Sequence, residues 1–311
     1  YAGGVSIVAV IASSWLTPNR MGPKQILDAL ALGARNMVMT AILLCSVGLI
    51  VNVIATAGIG NTFSLMITNW SGSNLLIAII LVGLASLVLG MGLPVTAAYI
   101  VLGTLSAPAL FNLIADAHIV DLIAAGALSE ETKAILMIAV PDKLELLQQP
   151  MLPVQARELL DSIPIDLMGT VRETALSPEI ATFTLLSAHM IIFWLSQDSN
   201  VTPPVCLAAF TGAAIAGTPP MSTGLQSWKV AKGLYLVPLL FAYTPILGGH
   251  WSEITTIFLF ALLGLYAFTC ALQGHIENKI SWLIRVLLLV LAFFLIKPSS
   301  FPVQCTAAVA M

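Results

Sequence analysis

The chain has 311 residues, of which 59% are hydrophobic and 9% charged, with a net charge of −3. Soluble domains carry about 25% charged residues, so this composition excludes a water-soluble globular protein of this size. Membrane lipid is the expected surroundings, and no nucleic acid is expected among the partners.

In chain order, residues 1–16 form an apolar run that ends at Thr17-Pro18. The chain opens inside this run with no charged stretch ahead of it, which does not fit a signal peptide; it is expected to be a fragment, a processed product or part of a subunit. Residues 23–35 are amphipathic, with Ile26, Leu27, Leu30 and Ala31 on one face and Lys24, Asp28 and Arg35 off it, the pattern of a helix lying in the membrane interface. Residues 37–57 are long enough to cross about 30 Å of hydrocarbon. A polar loop is expected over 58–74, with a short apolar piece at 63–67. Two apolar runs, 75–89 and 96–113, are separated only by Gly90-Met91-Gly92-Leu93-Pro94.

Between Asp116 and Glu179 eleven acidic residues accompany four basic ones, so this segment carries −7 and the remainder +4. It reads as one long polar insertion in an otherwise apolar chain. Residues 180–195 then run into Ser199-Asn200-Val201-Thr202-Pro203-Pro204, after which 205–216 resume. Lys229 and Lys232 mark a later loop, and apolar segments at 234–247, 254–273 and 280–296 complete the set. Placing Arg20, Lys24, Arg35, Lys229 and Lys232 on the cytoplasmic side sends the acidic insertion outside, in agreement with the positive-inside rule. The crossing count is the same whether the pair around Gly90–Pro94 is two full spans or a re-entrant hairpin.

Two places break the helical pattern inside apolar sequence. At Gly90-Met91-Gly92-Leu93-Pro94, followed by Thr96, glycines release the backbone and Pro94 removes a donor. A tight turn at membrane depth is tolerated only where protein or a water-filled cavity satisfies its backbone groups; an ordinary turn outside the membrane is the alternative. At Asp198-Ser199-Asn200-Val201-Thr202-Pro203-Pro204, tandem prolines free upstream carbonyls while Ser199, Asn200 and Thr202 add side-chain oxygens. Converging neutral oxygens on an unwound segment suit a dehydrated cation; a proline kink or loop is the alternative. Asp198 and His189 are the main ionisable residues within or beside membrane depth, and such residues are functional candidates, set against a charge at the water interface for Asp198 and a packed side chain for His189.

Other chemistries find little support. Cys45, Cys206, Cys270 and Cys305 lack C-x-x-C spacing, so neither a disulfide framework nor a metal site of that kind is indicated. There is no H-E-x-x-H, G-x-S-x-G or G-x-x-x-x-G-K-[ST] motif. Ser187, His189 and Asp198 could be assembled into an apparent triad, but residues two apart on a helix point to different faces. No enzyme and no cofactor are expected.

The segment Gly90-Met91-Gly92-Leu93-Pro94-Val95-Thr96-Ala97-Ala98-Tyr99-Ile100-Val101, followed by Pro108-Ala109-Leu110, resembles the large membrane component of tripartite ATP-independent periplasmic (TRAP) transporters, in their fused-permease, TAXI-associated branch. Asp198 to Pro204, Ala208-Ala209, residues 213–217 and 220–224, and then 233–245 with Val237-Pro238 and Tyr243-Thr244-Pro245 are similar to that family's second signature. The likeness covers about residues 35–285, except 116–179.

The resemblance implies an all-α polytopic membrane protein, one inverted repeat (the C-terminal half) of an elevator-type transporter, with a re-entrant hairpin and a discontinuous helix. The expected divisions are a scaffold helix end and interfacial helix at 1–36, membrane helices with the hairpin at 37–114 and its tip at 90–96, and the acidic extramembrane insertion at 115–179, which departs from the family's usual pattern. The discontinuous helix and an interfacial segment occupy 180–232 with the break at 198–204, and C-terminal membrane helices occupy 233–311. Gly90, Met91, Gly92, Pro94, Thr96, Asp198, Ser199, Asn200, Val201, Thr202, Pro203 and Pro204 are the implied ion- and substrate-binding residues. Sodium is placed near Gly90, Thr96, Val201 and Thr202, and coupling to Na+ or H+ stays open. Implied partners are a periplasmic substrate-binding protein, a small membrane subunit or domain, the N-terminal repeat of the large subunit and a small organic carboxylate. The implied location is the bacterial inner membrane. A different ion-coupled organic-anion carrier with an elevator fold and a non-transporting scaffold subunit are the rival readings.

Overall fold

A computed structural model describes residues 1–18, 20–91, 93–141, 151–204, 206–276 and 278–296. Gly92 and Cys305, named above, lie outside the described residues, as do Asp142, Lys143 and Glu145 of the acidic stretch and Val205. The described chain is helical, and it divides into two units, residues 1–53 and 54–311.

In the first unit, α1 (Ala2–Ser14) stops short of Thr17-Pro18, and the Ser14 hydroxyl accepts the Met21 N–H at 3.4 Å. Pro23 then opens α2 (Pro23–Thr56), a position where its missing N–H costs nothing. Residues 23–35 and 37–57 were expected as an interfacial helix and a separate span; they form one helix. Nothing between Arg35 and Met37 can break it, because Asn36 is the only intervening residue and the nearest glycine, Gly33, is isolated. At 1.5 Å per residue the helix is about 50 Å long, more than hydrocarbon thickness requires.

The second unit begins with a further correction: the expected loop 58–74 holds a helix, α3 (Ile59–Ser71). Its buried residues Ser64, Ile67 and Ser71 follow helical spacing, but two of the three are serines, which hides the stripe from a search for apolar periodicity. Asn74 ends the turn and caps α4 (Leu75–Gly90), accepting the N–H groups of Leu76 at 3.0 Å and Ile77 at 3.3 Å. Pro94 then leads into α5 (Val95–Ala124). Helix α5 is the axis of the unit and packs on α3 and α4. Pro108 inside α5 cannot donate to the Thr104 carbonyl four residues back, and α3 approaches that carbonyl so closely that a Cβ on Gly60 would sit 3.2 Å from it.

The acidic stretch is not a plain polar insertion. Helix α5 runs through Asp116 and Asp121 to Ala124, and α6 (Glu130–Ala139), α7 (Pro153–Asp161) and α8 (Ile165–Ala175) follow. Together they bury a separate core that includes Ile119, Ile123, Leu136, Leu159, Leu160 and Val171. The boundary expected at 114/115 therefore falls inside a helix; charge counting registered the acids and passed over the apolar positions between them. Arg172 ties α8 to α5, its Nε donating to Asp116 Oδ1 at 2.8 Å and its Nη2 to Oδ2 at 3.1 Å. Both side chains are largely buried, so losing one partner leaves a charge poorly compensated. Arg172→Met is expected to destabilise this helical cap by about 1–3 kcal/mol, read as faster proteolysis within residues 130–176. Adding Asp116→Leu should restore part of the loss, and unchanged proteolysis in the single variant would show that the pair adds no stability.

Ser177 caps α9 (Pro178–Gln197), accepting the Ile180 N–H at 3.3 Å. Helix α9 packs on α4 and α5, with Ile191 and Ile192 meeting Val82, Leu102 and Leu110 in the main core. Beyond the interruption described below come α10 (Leu207–Ala216) and α11 (Pro220–Val230), then a 3-10 turn (Ala231–Leu236) and α12 (Val237–Tyr243). Two expectations change here. The loop expected to hold Lys229 and Lys232 is α11 and the turn after it. The apolar segment 234–247 contains only a seven-residue helix, about 10 Å long, because Pro238 and Pro245 bound the regular stretch. Helices α13 (Trp251–Gln273) and α14 (Trp282–Ile296) pack on each other. The Arg285 guanidinium donates to the carbonyls of Ala271 at 2.6 Å and Leu272 at 3.0 Å, answering the end of α13.

Among the described residues four helical stretches are long and apolar enough to cross a membrane: Pro23–Thr56, Val95–Ala124, Pro178–Asn200 and Trp251–Gln273. Outward-facing side chains such as Leu259, 55% exposed, and Phe293, 61% exposed, suit hydrocarbon rather than water. The chain is an all-helical polytopic membrane protein.

Candidate functional site

The helical run of α9 ends in a 3-10 turn, Asp198–Asn200. The Asp198 carbonyl accepts the N–H groups of Val201 at 3.2 Å and Thr202 at 2.9 Å. Pro203 and Pro204 then offer no N–H to the carbonyls of Ser199 and Asn200, four residues earlier, and regular helix resumes only at Leu207. The interruption follows directly from the tandem prolines.

This break meets the end of the hairpin. Helix α4 packs on the 3-10 turn, and Gly90, its last residue, is buried against Ser199. A Cβ built on Gly90 would overlap the Cβ and Oγ of Ser199, so the approach depends on glycine having no side chain. Residues 109 positions apart are thus in contact, and the two interruptions form one junction.

Asp198 is 2% exposed, and its Oδ1 has no hydrogen-bond partner among the described residues. The Ser199 hydroxyl donates to the Ser196 carbonyl at 3.3 Å. The Thr202 hydroxyl pairs with the Tyr235 hydroxyl at 2.8 Å, and the Trp194 indole N–H donates to the Leu234 carbonyl at 3.0 Å. These last two bonds hold the 231–236 turn against the break and against α9. Tyr235 was not singled out from the sequence; its signal was a tyrosine inside an apolar run already interrupted by Gly233 and Pro238.

The remaining implied residues are less gathered. Met91, Pro94 and Thr96 are exposed, Asn200, Val201, Thr202 and Pro203 half-buried, and Pro204 exposed. The hairpin contributes Gly90 to the junction, while the recorded partner of Thr202 is Tyr235 and not Thr96. Among the described residues no group of three or more His, Cys, Asp or Glu side chains could hold a metal ion. A cation at the junction would be held by carbonyl and hydroxyl oxygens with the Asp198 carboxylate, a donor set suited to a hard monovalent ion. The buried, unpartnered Oδ1 of Asp198 fits that use.

His189 and Ser187 sit elsewhere. The Tyr99 hydroxyl lies 3.3 Å from His189 Nδ1, and both line a cleft of about 700 Å³ along α5. Ser187 lines a different cavity with His118, Asp121 and Tyr243. Ser187 and His189 thus line different cavities, in keeping with residues two apart on a helix.

Thr202→Val keeps the shape of the side chain and removes its oxygen. If the chain carries out the ion-coupled uptake that the resemblance implies, uptake should fall at least tenfold while the protein folds normally, since one net hydrogen bond is worth about 1 kcal/mol. Tyr235→Phe is the control. Equal losses in the two variants would assign Thr202 to holding the 231–236 turn, and unchanged uptake and ion dependence would remove it from the site.

In comparison with known families, the family described as "Tripartite ATP-independent periplasmic transporter, DctM component" matches residues 1–247. That stretch includes both breaks and the helical cap, and α13 and α14 lie beyond it. Neither the curated proteins nor the solved structures provide a match. With most of its length inside the family's pattern, and with apolar spans around a joined hairpin and helix break, the chain belongs to the DctM-component family, the large membrane subunits of tripartite ATP-independent periplasmic transporters.

Proposed function

We propose that this subunit moves small organic carboxylates inward, driven by a cation gradient, and that the junction of Gly90 with residues 198–202 is where the cation is held. The observation that carries this reading is the seating of Gly90 against Ser199 beside a buried Asp198 with an unpartnered oxygen. An uncompensated carboxylate in an apolar interior is costly, and a bound cation or proton removes the cost. Interrupted helices meeting inside an apolar bundle are a common construction for transporter ion sites.

In this reading the chain acts as one inverted repeat of an elevator-type carrier of the TAXI-associated branch, placed in a bacterial inner membrane. An N-terminal repeat supplies the other half of the site, alongside a small membrane subunit or domain. A periplasmic binding protein delivers the substrate and sets much of the specificity. The whole assembly, reconstituted in liposomes with its binding protein, should accumulate a labelled carboxylate only when a sodium or proton gradient is imposed. Uptake that ignores the binding protein would favour a stand-alone organic-anion carrier, and no uptake under any gradient would favour a scaffold subunit.

A further inference from the structure

We propose that a basic pocket between α11, the 231–236 turn and the end of α13 binds the phosphate group of an anionic membrane lipid. The cavity is about 480 Å³ and is lined by Lys229, Lys232, His275, Gln226 and Gln273. Every one of these side chains can donate a hydrogen bond, and among the described residues no aspartate or glutamate lines the pocket. Neither lysine carries an ion pair among the described residues.

The negative end of a helix could have used up this charge, since α13 ends here at Gln273. Its terminal carbonyls are answered by other groups: Cys270 by the Gly274 N–H at 2.8 Å, Ala271 and Leu272 by Arg285, and Gln273 by His275, whose Nδ1 lies 3.4 Å away. That leaves the two lysines available to an anion as mobile point charges.

Position argues for a lipid as the source of the phosphate. Helix α13 is one of the four candidate spans, so a pocket at its end lies where hydrocarbon gives way to headgroups. The Lys232 ammonium stands over the face of the Trp228 ring, 5.2 Å from its centre, where the ring attracts a cation, and tryptophan is favoured at membrane boundaries. Val230, 65% exposed, and Leu225, 45% exposed, continue from the basic rim as an apolar surface that acyl chains can cover. Basic pockets between membrane helices bind lipid phosphates in this way, each lysine adding affinity. This inference needs the membrane assignment but not the coupling site.

The test is native mass spectrometry of the full chain in neutral detergent, with phosphatidylglycerol, phosphatidylcholine and inorganic phosphate as probes. Phosphatidylglycerol should be retained in preference to phosphatidylcholine. K229Q/K232Q should weaken that retention about 10- to 30-fold, K229R/K232R should keep it, and excess inorganic phosphate should not displace the lipid. Equal retention of the two lipids by the wild-type chain would overturn the proposal, and so would undiminished phosphatidylglycerol binding by K229Q/K232Q. Displacement of the lipid by inorganic phosphate would also overturn it, assigning the pocket to a free anion.

Discussion

Gly90→Leu is expected to abolish coupled uptake and to destabilise the protein by about 1–3 kcal/mol, the usual cost of inserting methylenes into a packed site. The reason is local: the new Cβ overlaps the Ser199 side chain, and the remaining leucine atoms need space that the 3-10 turn occupies. Either α4 withdraws from the break or the break deforms, and both separate the hairpin from the oxygens of residues 198–202. Because a destabilised protein can lose activity trivially, a milder pair gives the sharper test. Gly90→Ala should lose most uptake, and adding Ser199→Gly, which clears the atoms that the new Cβ meets, should restore part of it. Normal uptake by Gly90→Leu would show that the hairpin and the break do not meet in the working protein. No restoration by Ser199→Gly would move the defect away from this contact.

Asp198→Asn is expected to leave folding intact and to change what drives transport. The buried carboxylate has an oxygen with no hydrogen-bond partner among the described residues, so a charge-neutral amide of the same shape is tolerable in the fold. Its loss matters only where an ion used that charge. If sodium is the coupling ion, half-saturation by sodium should rise about 10- to 100-fold, the range expected for losing a charged contact of about 1.5–3 kcal/mol, and the response to pH should flatten. If a proton couples, accumulation driven by a pH gradient should vanish while substrate exchange partly survives, because exchange needs no net ion movement. Transport with unaltered ion and pH dependence would make Asp198 a structural residue and withdraw it from the site.

Both helix interruptions of the candidate site were legible because their signals are covalent and local. Pro203 and Pro204 cannot continue a helix, and the structure stops α9 just before them. Gly90 to Pro94 cannot extend α4, and it ends there. What the chain could not declare is that these two interruptions touch. The contact between Gly90 and Ser199 is set by how α4 packs on α9, through Val82, Ile191 and Leu195 among others, and no local pattern encodes it. Tyr235 as the partner of Thr202 is hidden for the same reason.

The fold was legible where helices are uniformly apolar and obscure where polarity is mixed. The limits of α13 and the start of α14 came within three residues of those observed. In α3, serines occupy two of the three buried positions, so the helix looked like a loop. Around Asp116 the ion pair with Arg172 lets a carboxylate sit in a packed helix, where charge alone points to the start of an insertion. For α2 the opposite error arose, since a change from amphipathic to wholly apolar sequence was read as a boundary although nothing there breaks a helix.

Sodium-dependent stability tests the central claim most directly. A ligand that binds only the folded state at about 100 times its dissociation constant stabilises it by about 2.7 kcal/mol. Melting of the assembled transporter should therefore rise with added sodium, not with equal potassium or choline, and the rise should be lost in Asp198→Asn. A cation site at the junction of Gly90 and residues 198–202 requires that pattern under sodium coupling, and under proton coupling it requires the same pattern in pH with sodium inert. A wild-type protein whose melting responds to neither sodium nor pH, or an Asp198→Asn variant that responds as the wild type does, would contradict it.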